Sequence, residues 1–352
     1  MKLTRNYIGK AWPLVICTMF GIALIPRNSL AQFDFSYGQY QQNPISVNPA
    51  FAGIEDFVDV KLGYRKQWVG IDNSPSHAFI SANMALKISE NNDFKHRGVR
   101  LFEAEAYNEL EKPDNFGYRK GNRHGVAVNL MENSDGGFQN FSAYINYAYQ
   151  LRITRQLIWS IGAGFGYEFN QFDPSGISVL NPTNDITYQN YLLGKNQKNS
   201  VNLNLGTIVY HQDFYLGYAA KNVVSSVISG DNKDFNDQIN KLNQTVVFGY
   251  NYKYKYGVTI TPGLLVGFTP DNPVQVLVSL RANWHDKFWG GLQYTYLGEA
   301  AISLGFYITP NFGLNYAYAY PTTQLGRSTS GSHEVVLAFK LKNRNYSRAY
   351  IY

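Results

Sequence analysis

Large apolar side chains alternate one for one with small or polar ones along stretches of about ten residues of this chain. A period of two means a strand with two unlike faces. In Pro273–His285 one face reads Val274, Val276, Val278, Leu280, Ala282, Trp284 and the other Gln275, Leu277, Ser279, Arg281, Asn283, His285. Ala300–Ile308 sets Ile302, Leu304, Phe306 and Ile308 against Ala301, Ser303, Gly305 and Tyr307. Asn311–Tyr320 and Val201–Val209 repeat the pattern. A soluble sandwich alternates too, but its strands run nearer to about 5–6 residues.

The first thirty-one residues carry a different signal. Lys2, Arg5 and Lys10 precede an uncharged, largely apolar run from Ala11 to Pro26, and Ser29-Leu30-Ala31 follows. Charged leader, apolar middle and small-residue site make a cleaved secretory signal over residues 1–31, with the mature domain at 32–352. The apolar run is short of the roughly 20 residues of a spanning helix. Cys17, the chain's one cysteine, lies inside it without a lipobox, so the expected mature protein has neither disulfide nor thiol nucleophile.

Removing the leader takes four basic residues and no acidic one, leaving 27 basic against 25 acidic residues, a net +2 in place of +6. The basicity belongs largely to the leader, which removes the main argument for nucleic-acid binding. Charged residues make up only 16% of the chain, against about 25% in an average soluble domain. Tyrosine and phenylalanine are abundant, and no second long apolar run exists. In a bilayer every backbone polar group must be paired, so an exported chain of this kind spans as a closed barrel.

About fourteen strands fit the template, near 55–67, 76–88, 124–132, 138–151, 156–170, 200–211, 213–221, 242–254, 257–268, 273–284, 286–297, 299–308, 311–320 and 332–342. Long polar stretches fall at 89–123, 171–199 and 222–241, a shorter one at 321–331, and tight turns elsewhere. Short turns on one side and long loops on the other are what an outer-membrane barrel shows. Val276, Val278, Leu304 and Phe306 are expected to face lipid.

Chemical motifs are weak by comparison. Gly162-Ala163-Gly164-Phe165-Gly166 sits within a strand pattern with no following helix, so it reads as relief of crowding in a wall and not as a phosphate loop. Glu103, Glu105, Glu109, Glu111 and Asp114 could hold a hard cation but lack the order of a calcium loop. The six histidines show no zincin spacing, and Ser332-His333-Glu334 cannot form a triad because neighbouring strand residues point to opposite faces. No cofactor site is expected. The most distinctive stretch is Tyr37 to Gly53, where Asn43-Pro44 and Asn48-Pro49 impose turns close together. It reads as a rigid lead-in to the first strand, or as a segment docked in the barrel or shown to a partner.

At that stretch the chain resembles the PorP/SprF family of Bacteroidota outer-membrane proteins, associated with type IX secretion and gliding motility. The resemblance is carried by Gly38-Gln39-Tyr40, Asn43-Pro44 and Val47-Asn48-Pro49-Ala50-Phe51-Ala52-Gly53. It continues in Arg65-Lys66-Gln67-Trp68-Val69-Gly70 ending at Pro75, and in His124–Val128, Phe214–Gly217 and Asp286–Gly291. Tyr316–Pro321 and Gly331-Ser332-His333-Glu334-Val335 complete the order. Residues 94–123 are longer and more charged than the family's usual loop, and a tail, 343–352, follows Phe339. The resemblance implies a non-enzymatic component of the outer membrane. Its partners would be type IX translocon proteins, among them a periplasmic lipoprotein, or the C-terminal domain of a large secreted adhesin. Asn43, Pro44, Asn48, Pro49, Ala50 and Gly53 would serve N-terminal docking or partner binding. Gln67, Trp68, Gly70, Gly331, Ser332, His333 and Glu334 are the other motif positions. A passive porin is the alternative.

Overall fold

A computed structural model describes residues 40–86, 122–173, 189, 197–229 and 241–341, apart from 56, 155, 255, 256, 271, 286 and 297. The expected signal (1–31), the acidic segment 103–114 and the tail 343–352 lie outside the described residues. Fifteen strands follow one another: β1 (Val58–Lys66), β2 (Ser76–Leu86), β3 (Arg123–Asp135), β4 (Phe138–Arg152), β5 (Ile158–Phe172), β6 (Gln197–Tyr210), β7 (Phe214–Ser229) and β8 (Asn243–Tyr250). The rest are β9 (Tyr252–Tyr254), β10 (Val258–Phe268), β11 (Gln275–Trp284), β12 (Phe288–Thr295), β13 (Glu299–Thr309), β14 (Phe312–Pro321) and β15 (Ser332–Leu341). β8 and β9 both pair with β10 and are two parts of one wall strand, interrupted at Asn251. The wall therefore has fourteen strands.

Every pairing is antiparallel between neighbours in the chain, and β1 closes the ring on β15 from Val58↔Leu341 to Lys66↔His333. Closure leaves no sheet edge around the ring, which a wall in hydrocarbon requires. The faces are inverted relative to a soluble protein. Leu304 and Phe165 are each 61% exposed on the outside, whereas Asn129 and Asn202 are 1% exposed within. An apolar outer face around a polar interior is a wall built for lipid, and it rules out the sandwich.

Leu304 sits near the middle of β13, on its outward face. Leu304→Arg should cost about 2–4 kcal/mol, as a charge facing the bilayer midplane does. Denaturant unfolding in lipid vesicles measures this; a variant as stable as the parent would mean that the face does not meet lipid.

Two features differ from the sequence reading. Residues 222–229, read as connection, are strand: β7 continues beyond a bulge opposite Leu203 and Leu205, with Asn222 at φ +57°. The long connections also do not share one end. Those at 173–196, 230–242 and 322–331 leave the rim opposite the ends of the wall. The connection 87–122 joins β2 to β3 beside Val58 and Leu341, where the other turns are short. Strand parity places each connection at its end of the wall, and 87–122 is the exception to the trend in length.

Candidate functional site

A ring of fourteen strands spaced about 4.8 Å apart and tilted about 40° has a backbone radius of about 14 Å. Wall side chains fill the interior of an eight-stranded barrel but not one this wide. Here the space is entered by the chain's own Tyr40–Glu55. Pro44–Ser46 and Pro49–Phe51 form single 3-10 turns, each opened by a proline whose missing N–H costs nothing there. Ile45, Val47, Phe51 and Ile54 pack with Ile208, Tyr215, Val247, Leu265 and Leu277 of the wall in one apolar cluster.

The plug is not a strand: Ser46, Val47, Asn48, Phe51, Ala52 and Ile54 N–H donate to its own carbonyls in turns, and backbone groups left over find partners among wall side chains. Gly53 N–H donates to Asn83 Oδ1 at 2.6 Å. Gln150 Nε2 donates to Ala52 O at 2.9 Å, and Ser160 Oγ to Ala50 O at 2.8 Å. Arg123 donates to Glu55 O. Asn48, with no exposed surface, accepts from Ala50 N–H and donates through Nδ2 to Thr207 O (3.1 Å) and Tyr218 O (3.2 Å). Asn43 Nδ2 donates to Asn129 Oδ1, and Asn315 Nδ2 to Gln42 Oε1, each at 3.2 Å.

Glycines of the wall make the groove for this segment. A Cβ on Gly125 would lie 2.1 Å from Ala52 O, one on Gly162 2.5 Å from Ala50 N, and one on Gly206 2.0 Å from Asn48 Oδ1. Asn43, Pro44, Asn48, Pro49, Ala50 and Gly53 are thus brought together inside the wall, all buried. The wall residues that hold them went unrecognised in the sequence. The available signal was small or amide residues on the inward parity of strands β2 to β7 at one height.

The remaining motif positions meet at the rim opposite the ends of the wall. Residues 67–75 and 322–331 are joined there by main-chain bonds: Val69 N–H donates to Gly331 O and Ser330 N–H to Val69 O, both at 2.8 Å. Trp68 N–H donates to Ser332 Oγ at 3.3 Å and Thr329 Oγ1 to Val69 O at 3.0 Å. The tight path needs positive φ at Trp68 (48°), Gly70 (99°) and Gly331 (95°). Beneath the rim Arg65 is buried between two carboxylates, Glu299 (Nη2–Oε1 2.5 Å) and Glu334 (Nη1–Oε2 3.6 Å). With its amide turned to match, Gln67 accepts from Arg65 Nη2 at 2.8 Å and Nε at 3.1 Å. His333 is set apart from this group, its Nδ1 2.7 Å from the Tyr316 hydroxyl and its ring beside Tyr318. Glu299 belongs to none of the motif blocks and was not singled out by sequence.

A closed antiparallel ring with a lipid-facing outer wall defines an outer-membrane barrel protein of a Gram-negative bacterium. The chain belongs to the type IX secretion system membrane protein family PorP/SprF, whose family model matches residues 29–339. No curated protein matches it. Among solved structures it is similar to the Acinetobacter baumannii outer membrane protein Omp33, at 9% identity and TM-score 0.41, over 82% of this chain and all of that one. The Ralstonia pickettii toluene transporter TbuX gives 11% and 0.44 over 84% and 92%. The CymD monoaromatic hydrocarbon channel gives 10% and 0.47 over 86% and 92%. Those similarities are of barrel to barrel only.

Proposed function

We propose that this barrel is a non-enzymatic docking body of type IX secretion, and that it engages a protein at its loop-rich rim. One observation supports the reading: two motif blocks separated by some 260 positions are locked into a single rim whose shape is set by main-chain bonds. A rigid wall carrying shaped loops is the usual arrangement of a recognition surface. Trp68, Val69, Ile71 and Leu325 are half-buried there, with Gly70 and Arg327 exposed. Apolar side chains within a polar border suit a protein contact. Three of the four long connections leave this rim, and the longer loops of an outer-membrane barrel face the cell exterior, so the partner at this rim is a secreted protein, most simply an adhesin's C-terminal domain. The opposite end, with 87–122, faces the periplasm and its translocon proteins.

The test is co-purification from outer membranes of a strain expressing the tagged chain. The wild type should retain a secreted C-terminal domain or a translocon component. Trp68→Ala with Ile71→Ala should weaken retention of a secreted domain about tenfold, roughly 1.4 kcal/mol, while the barrel still assembles. A deletion strain that displays every adhesin normally and loses only uptake of small solutes would overturn the proposal.

A further inference from the structure

The interior bears on what the barrel does not do. An unfilled ring of this size would leave a water-filled channel about 15 Å across once wall side chains are allowed for. We infer that Tyr40–Glu55 is a fixed closure of that channel and that the barrel conducts no solute.

Hydrogen bonds from the segment reach eight of the fourteen wall strands, and its apolar cluster takes in Val247 and Leu265 of two more. Hydrogen bonds tie it to Asn83 of β2 and Asn129 of β3, to Gln150 and Ser160 of β4 and β5, and onward to the carbonyls of Thr207 and Tyr218. Ser279 of β11 receives Gln41 Nε2 at 3.2 Å, and Asn315 of β14 donates to Gln42 Oε1 at 3.2 Å. Between β11 and β14 the gap is occupied by Trp289, whose ring carries the Arg281 guanidinium 4.0 Å from its centre and lies against Gly305 and Asn315. A gating segment keeps few attachments and has somewhere to go. This one holds Val47, Ala50 and Ala52 with no exposed surface and Ile54 at 2%. Gly53 N–H and the carbonyls of Ala50, Ala52 and Glu55 have exchanged water for wall side chains, and the glycine grooves fit its backbone closely. Leaving would strand amide groups on both sides and bare an apolar face to water. The inference is independent of any docking partner, since it concerns only the path through the wall.

A cysteine pair tests it. Cys17 lies in the expected leader, so Asn43→Cys with Asn129→Cys, whose parent side chains face one another, would be the only thiols of the mature chain. They can be joined by a disulfide or a short bis-thiol reagent. Purified full-length mature protein, shown to be folded by heat-modifiable migration, is placed in planar bilayers with potassium chloride as the probe. Wild type, open pair and bridged pair should all be indistinguishable from a protein-free bilayer. A variant lacking residues 40–54 should show large stable conductance steps. If that variant does not assemble, the comparison of bridged with open protein decides alone. Conductance by the wild type that persists after bridging would show a path past the segment. Conductance that disappears on bridging would show a moving gate. Either result overturns the inference.

Discussion

Gly125→Val is expected to abolish assembly of the barrel, or to leave a product that unfolds far more readily. A Cβ at residue 125 would stand 2.1 Å from Ala52 O and 2.6 Å from Gly53 Cα. The approach is reciprocal, because a Cβ on Gly53 would stand 2.3 Å from Gly125 Cα, and Gly53 holds φ +68°. Backbone meets backbone, so no side chain can rotate away. Overpacking ordinarily costs about 1–3 kcal/mol when neighbours can shift; here about 3 kcal/mol or more is expected. Gly290→Ala is the control, since its Cβ would meet the flexible end of Leu304 at 3.4 Å and Ser303 O at an ordinary contact distance of 3.8 Å. Both variants are compared by heat-modifiable migration and by urea midpoint in detergent. Wild-type behaviour of the valine variant would mean that Ala52-Gly53 does not lie against β3.

The same contact shows what the sequence could and could not reveal. Wall strands were legible because lipid imposes one chemical rule on every outward position. That rule writes an alternation even into β11 and β13, whose inward residues differ completely. Where the rule lapses, so did the reading: Val223-Val224 and Ser225-Ser226 come in pairs after the bulge at Asn222, and β7 was ended eight residues early. The glycines of β5 were read as one feature and have three separate causes. Gly162 admits Ala50, Gly164 the Asn146 amide, and Gly166 the Tyr144 ring. The two Asn-Pro steps announced turns but not a location, because the bonds that place them come from wall residues spread from Asn83 to Asn315. Non-local contacts of that kind leave no periodicity. The motif at 331–334 was visible, but its partner carboxylate, Glu299, lies in a strand start with nothing to mark it.

Arg65→Ala should cost about 3–5 kcal/mol, the usual penalty for removing one member of a buried ion pair and leaving its partners charged. Arg65 and Glu334 are buried and the Glu299 side chain is only 15% exposed, so little water is available to compensate. The loss would be felt where β1, β13 and β15 reach the rim, because these three strands carry the three charges. Arg65→Lys should recover part of it: a single ammonium keeps the charge but cannot engage Glu299, Glu334 and the Gln67 amide together. The decisive comparison is Arg65→Met combined with Glu299→Gln and Glu334→Gln. Removing every charge of a buried ionic group together avoids the uncompensated buried charge that makes loss of a single member costly. The triple variant should therefore be more stable than Arg65→Ala alone, read as the urea midpoint in detergent and as protease resistance of residues 67–75. If instead Arg65→Ala matches the wild type and the triple variant is the weakest, the carboxylates are solvated and the rim is held by its main-chain bonds alone.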